Sequence, residues 1–462
     1  MTLASRSAIV AALIACVAAG AAEAVVMQQL GVAAGLALPI GAAVAVAVVR
    51  SPVLGVQLAL LAVPLEFFSL RVGGDAGVSP TEMLMLLTAG AALARWAIAA
   101  RAPALPPPLR ALAAFCVLIL FGYVVAEDSL VVTKILLMWS AFVIAGVLVA
   151  GAPPRELERI MVCLALAGGI AGLVAIAGGA DQTLQEGGVI ATGRAQAGFA
   201  QPNVLGFFLV LAIPAAVALG IRGRGMVRAV MAAMAIAGLV GLMLTLSRTS
   251  LVGAALGLGV LCLLPGFRRV AAVAIAALAV FVLTNFQTLQ ESQQVTVVTH
   301  RLSTLGQSRA VGSDPRLKIY KTTPQMIADH PVFGVGAGNY SLAARRYGVL
   351  DEENQPYDHA HNVPLTFAAE LGLPGLFVFI WFALSLGRLL LRALAARADP
   401  VRGALMVAIA AGMIGSVVTS AGDYPPRTNA IAATFIVLVG VLWGLVRASE
   451  RAPTPAPPSA RL

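Results

Sequence analysis

Runs of roughly 20 apolar residues recur along the chain, separated by short gaps that carry most of its charge. At 1.5 Å rise per residue a helical run of that length crosses the roughly 30 Å hydrocarbon core of a bilayer. Candidate spans fall near 8–27, 31–49, 52–70, 82–100, 110–126, 130–150, 160–178, 203–220, 226–246, 250–264, 270–284, 365–387, 403–420 and 428–446. Several of these fourteen are short or glycine-rich, so the expected count is about 12–14. The pattern predicts an all-α fold: a polytopic transmembrane helical bundle with one long loop, residues 285–361, that contains short helices. The first 24 residues, with Arg6 and "AGAAEA", have the layout of a signal peptide. A chain that goes on to span the membrane has less need of cleavage, so they read as a retained first helix.

Composition agrees: 60% of the 462 residues are hydrophobic and 11% are charged, far outside the balance of a water-soluble domain. The net charge of +10 comes from arginine, since only Lys134, Lys318 and Lys321 are lysines. In a chain of this kind it reads as topology, and no nucleic-acid partner is expected. Alternate gaps hold arginine clusters, "RAPALPPPLR", "APPRELER", "IRGRGMVR", "GFRR" and "RLLLRALAARADPVR", and these with both termini are assigned to the cytoplasm. The other gaps, and the long loop, then face the opposite side. The proline-rich tail 447–462 reads as disordered. Cys16, Cys116, Cys163 and Cys262 lie in apolar runs at unrelated spacings and read as packing residues.

Arginines on the non-cytoplasmic side run against the insertion bias and call for another reason: Arg71, Arg194, Arg248, Arg301, Arg309, Arg316, Arg345, Arg346 and Arg427. Arg194 lies in "GRAQAGFAQPN", ahead of a helix opening near Pro202 and Asn203. Arg248 lies in "TLSRTSL" between two apolar spans, and Arg316 follows "SDP", where Asp314 can cap a helix. A guanidinium at a membrane boundary suits a phosphate or carboxylate, although pairing of Arg194 with Glu186, or of Arg248 with lipid phosphate, competes with that reading. All four histidines, His300, His330, His359 and His361, fall in the long loop or at its end. The pair in "YDHAHNV" ranks first as a catalytic base, ahead of a metal site, because no third ligand has matching spacing; a structural role is the competing reading. "GVGAGN" (334–339) reads as a turn, and the acidic run "LDEENQPYD" (350–358) as a solvated loop.

Four stretches in order resemble the O-antigen ligase and polymerase superfamily: "GRAQAGFAQPNVLG", "LTLSRTSLVGA", "DPRLKIYKTTPQMIADHPVFGVGAGNY" and "HAHNVPLTFAAELGLPGLF". The resemblance covers roughly 190–446. It divides the chain into an N-terminal bundle, 1–180, and a ligase-like catalytic region, 181–446. It implies a bacterial inner-membrane enzyme, active on the periplasmic face. Such an enzyme moves a glycan from an undecaprenyl-diphosphate carrier to a lipid A–core acceptor or, as a polymerase, to a second carrier-linked glycan. By position His361, Arg248 and Arg316 match the functional histidine and arginines. Arg194, Asn203, Asn362, Tyr320 (where many members have tryptophan), His359 and Glu370 are the substrate-side candidates. No metal and no cofactor is expected; the partners are the lipid-linked donor, the acceptor and membrane lipid. The chemistry fits independently, because arginines can stabilise a departing diphosphate and a neutral histidine can take the acceptor's proton. Glu370, about 13 Å further along an ideal helix, is not expected to touch His361 unless "GLPG" breaks that helix. A transporter or lipid flippase is the alternative of another class.

Overall fold

A computed structural model describes residues 32–66, 70–71, 77–100, 103–178, 194–285, 315–350, 355–399 and 401–451. Among these, nine helices are long and apolar enough to cross a membrane, and four further apolar helices are shorter. This is the all-α polytopic bundle that the apolar runs predict. In chain order the helices are α1 (Val32–Arg50), α2 (Pro52–Ala62), α3 (Pro80–Ile98), α4 (Pro107–Gly122), α5 (Ser129–Ala150), α6 (Pro154–Gly178) and α7 (Pro202–Arg222). They continue as α8 (Gly225–Leu244), α9 (Arg248–Leu261), α10 (Arg268–Thr284), α11 (Pro315–Asp329), α12 (Tyr340–Arg346), α13 (Val363–Ala395), α14 (Gly403–Ser420) and α15 (Asn429–Glu450). The first expected span, His300, Arg301, Arg309, Glu186, Asp314, Asp351, Glu352 and the tail beyond Arg451 lie outside the described residues.

One buried apolar cluster runs from Val56 to Val446. Helices α7 and α15 sit deep within it, whereas α8 and α10 lie at the periphery. Leu283, Val273, Phe377 and Leu391 are exposed, giving the outer surface the apolar character that suits lipid. Small residues bring helices into backbone contact: a β-carbon on Gly253 of α9 would stand 2.6 Å from the Gly415 carbonyl of α14. Where the sequence offers cap residues the helices start as expected. Ser79 and Glu82 form a reciprocal capping box, and Asp128 accepts from the Leu130 and Val131 amides. The candidate span 52–70 is shorter than expected. Its helix passes through a 3₁₀ turn at Val63–Leu65, and Leu70–Arg71 pairs antiparallel with Gly77–Val78.

Contacts between the connecting segments define two ends of the bundle. At one end Ala195 N donates to Leu244 O (2.9 Å), Lys134 Nζ to Gly77 O (2.7 Å) and Asp128 N to Asn339 Oδ1 (2.8 Å). These are the gaps without arginine clusters. At the other end the clustered arginines meet acids, as in Arg222–Glu158 at 3.4 Å and Arg392–Glu450 at 2.7 Å.

The long loop contains the expected short helices. Helices α11 and α12 build a small core of their own from Ile319, Met326, Tyr340, Ala343 and Val349, closed by Ala360 and by Ala369 of α13. That helix is broken: Gly372 has φ 69° and ψ −167°, followed by Pro374. Pro374 has no N–H to offer the Glu370 carbonyl, and the turned Leu373 amide goes to Pro331 O (2.8 Å) instead. The "GVGAGN" turn supplies replacements, with Val335 N donating to Ala369 O (2.9 Å) and Gly336 N to Glu370 O (3.0 Å). Such close approach needs Gly334, where a β-carbon would lie 2.3 Å from the Glu370 carbonyl carbon.

Candidate functional site

The site lies at the arginine-poor end, where α13 begins. Asn362 caps that helix by accepting from Leu365 N (3.1 Å), and Ala360 N is held by Thr366 Oγ1 (3.3 Å). Between them His361 takes a left-handed backbone conformation, φ 49°. Among the described residues four non-glycine positions have positive φ; Ala197, Leu246 and His361 flank this site and only Ala100 is elsewhere. Backbone strain of this kind gathers where structure over-determines a functional geometry.

The group that organises the histidines is Asp423, in the short connection between α14 and α15. Its Oδ1 stands 3.6 Å from His359 Nε2 and 3.6 Å from His361 Nδ1, and the two imidazole centroids are 4.3 Å apart. Tyr424 covers His359 with its ring (5.4 Å between centroids), while its amide donates to Asp423 Oδ1 (2.8 Å). Burial alone would push the Asp423 carboxyl up. The two imidazoles and the Tyr424 amide outweigh it and hold the group well below the usual carboxylate range. His359 is pulled down from the ordinary imidazole value, chiefly by burial, with Asp423 acting in the opposite sense and His361 adding to the decrease.

On its other oxygen Asp423 meets the arginines. Asn203 Nδ2 donates to Asp423 Oδ2 (3.3 Å), and Asn203 Oδ1 accepts from Arg194 Nη2 (2.7 Å). Arg194 Nε also donates to Thr245 O (2.8 Å), just ahead of Arg248 in the first turn of α9. Burial and the nearby Arg248 both lower the Arg194 pKa from the arginine norm. The structure therefore joins Arg194, Asn203, His359 and His361 through Asp423, with Arg248 alongside. Arg316 occupies the first turn of α11, and its side chain lies outside the described part of the structure. Tyr320, one turn on, reaches the His361 carbonyl with its hydroxyl (3.4 Å). Glu370 is buried just above the break in α13, tied by its carbonyl to Gly336. Asp358 forms an ion pair with Arg427, both partners partly exposed, which accounts for one acid of the 350–358 run.

Sequence reasoning missed Asp423, Tyr424 and Thr245. The missing third partner of the histidine pair is Asp423, which no local spacing could indicate because it arrives from another helix connection. The signal available was "AGDYPPRTNA", an acid stranded beside an outward arginine in a gap too short for solvent-exposed polar filler.

Beside Asn362 and Pro425 opens an apolar cleft of about 570 Å³, which runs down between α13, α14 and α15. Phe367, Phe379, Phe382, Leu386 and Phe435 line it. The end of the bundle thus offers a histidine with its carboxylate, half-buried guanidinium groups, and an apolar cleft at the same mouth.

A search of the curated proteins finds no match to the chain. Residues 232–380 match the family model described as O-antigen ligase. That stretch includes Arg248, Arg316, Tyr320, His359, His361, Asn362 and Glu370; Arg194 and Asn203 precede it, and Asp423 follows it. With its histidines at the cap of α13 and its arginine at the start of α9, this part of the chain is similar to the O-antigen ligase family, which supports a place in the O-antigen ligase and polymerase superfamily.

Proposed function

We propose that the protein is an inner-membrane glycosyltransferase. It transfers a glycan from an undecaprenyl-diphosphate carrier to a lipid A–core acceptor at the periplasmic face, by a metal-independent single displacement that inverts the anomeric centre. The observation that carries this reading is the pairing of His361 with Asp423 beside Arg194, at the mouth of an apolar cleft. Asp423 faces Nδ1, which favours the tautomer with its proton there and leaves the Nε2 lone pair for the acceptor. The acceptor hydroxyl attacks the anomeric carbon as the bond from that carbon to the diphosphate oxygen breaks, and its proton passes to His361 Nε2. The electron pair leaves on the diphosphate, where Arg248 and Arg316 offset the growing charge. The polyprenyl chain of the carrier fits the cleft lined by Phe367 and Phe382, which would set the diphosphate at its mouth.

The test is transfer by purified protein in lipid, in the presence of EDTA, from a carrier-linked glycan. Glycan joined to lipid A–core is the expected product. Elongation of a second carrier-linked glycan instead would make the protein a polymerase, and no transfer to either acceptor would overturn the enzyme reading.

A further inference from the structure

We propose that His359, His361 and Asp423 also bind one divalent transition-metal ion of the zinc class, and that the bound ion switches transfer off; the second half rests on His361 as the base. The side-chain ligand atoms of these three residues all lie within 4.8 Å of one another. His359 is only 4% exposed, yet neither of its ring nitrogens has a hydrogen-bond partner, and neither has His361 Nδ1. Buried polar atoms left in that state are costly and call for a partner.

Two of these orphaned nitrogens, His359 Nε2 and His361 Nδ1, face one carboxylate oxygen at 3.6 Å, too far for a good hydrogen bond. Zinc holds nitrogen and oxygen at about 2.0–2.2 Å, which sets ligand atoms roughly 3.3 Å apart in a tetrahedron. Both 3.6 Å edges are close to that spacing, and only the edge between the imidazoles has to draw in. Two histidines and one carboxylate form a recognised zinc donor set that leaves a fourth position for water. Among the described residues Arg427 is paired with Asp358 and Arg194 reaches Asp423 through Asn203 on the other oxygen, while the Oδ1 that faces the imidazoles also accepts from the Tyr424 amide at 2.8 Å and keeps a second lone pair for an ion.

Occupation would change the chemistry of His361. An ion on Nδ1 leaves the neutral ring its proton on Nε2, so the atom that should accept the acceptor's proton becomes a donor. The ion would also take Asp423 away from its role of holding that ring.

The full-length protein, stripped of metal and reconstituted in nanodiscs, would be titrated with Co²⁺ and with Zn²⁺. About one equivalent of Co²⁺ should bind with visible ligand-field bands that Zn²⁺ displaces. His359→Gln and Asp423→Ala, confirmed as folded by thermal unfolding, should lose that binding, and His330→Ala should keep it. Zinc at saturation should slow glycan transfer by the wild type at least tenfold, and EDTA should restore it. Wild type that binds no more Co²⁺ than His359→Gln would overturn the site. Full turnover with zinc bound would overturn the inhibition. A protein that binds one Co²⁺ at the trio but transfers no glycan would sink the transfer reading while supporting the metal site.

Discussion

Asn203 touches Arg194 with its carbonyl and Asp423 with its amide, at 2.7 and 3.3 Å, so one side chain joins the guanidinium to the histidine pair. Its orientation is set by those two partners, because only a donor suits the carboxylate and only an acceptor suits the arginine. Asn203→Leu leaves both without it. Hydrogen bonds to charged groups contribute about 1.5–3 kcal/mol, so transfer should fall by roughly 10- to 100-fold. Single-turnover rates with carrier-linked glycan measure this, and a loss under twofold would show that the bridge is incidental.

Asp423→Asn preserves shape but removes the charge that holds the imidazoles, and a comparable change in a serine protease triad costs about 10⁴-fold. A loss of at least a hundredfold in kcat is expected here, with donor binding unchanged. His361→Ala should cost about 10²–10⁴-fold, the usual contribution of a general base. His359→Ala should cost much less, since Asp423 still faces His361 in that variant. Equal losses for the two histidines would remove the distinction between base and support.

Lysine should substitute poorly for the arginines. Arg194 uses two nitrogens in different directions, toward Thr245 O and Asn203, which a single ammonium on a flexible stem cannot reproduce. Arg194→Lys, Arg248→Lys and Arg316→Ala should each reduce turnover at least tenfold, read as initial rates in EDTA. If chelation itself abolishes wild-type transfer and Mg²⁺ restores it, the arginines are not the principal charge stabilisers.

Gly372→Ala places a β-carbon 2.6 Å from the Pro331 carbonyl in a left-handed backbone, and Gly334→Ala drives one into the Glu370 peptide. Each should destabilise by about 1–3 kcal/mol, the range for strained backbone positions. The readout is a lower Tm in detergent, and unchanged melting of both variants would mean that the brace yields easily.

Sidedness can be read from Lys321, exposed on α11. With the arginine-rich gaps in the cytoplasm, Lys321→Cys should react with a membrane-impermeant maleimide added outside the inner membrane. Labelling only after that membrane is permeabilised would invert the topology.

Most of the architecture was legible because lipid leaves the backbone few options. Apolar runs must be helices, and the run at 203–220 became Pro202–Arg222 with little change. Asn362 stands directly before an apolar run, the place where a helix start needs a side-chain acceptor, although the sequence alone reads it as a substrate-side residue. Asp423 was not legible, because nothing local to "AGDYPPR" says which connection it will meet. The break in α13 was half visible in "GLPG". What could not be read was that Val335 and Gly336 would satisfy the carbonyls it frees, since that pairing joins segments far apart in sequence. His359 and His361 looked short of a third partner for the same reason.

The position of Asp423 also sets the order in which the site can come into being. The chain is made from its amino terminus, so the turn at 331–338 is already available when α13 emerges with its broken upper segment. Arg194, Arg248 and both histidines are then present, yet the carboxylate that faces the imidazoles belongs to the connection between α14 and α15. The site is therefore completed only when the hairpin of α14 and α15 is in place. A nascent chain halted before α14 would carry every histidine and arginine of the site but lack the carboxylate that faces the imidazoles.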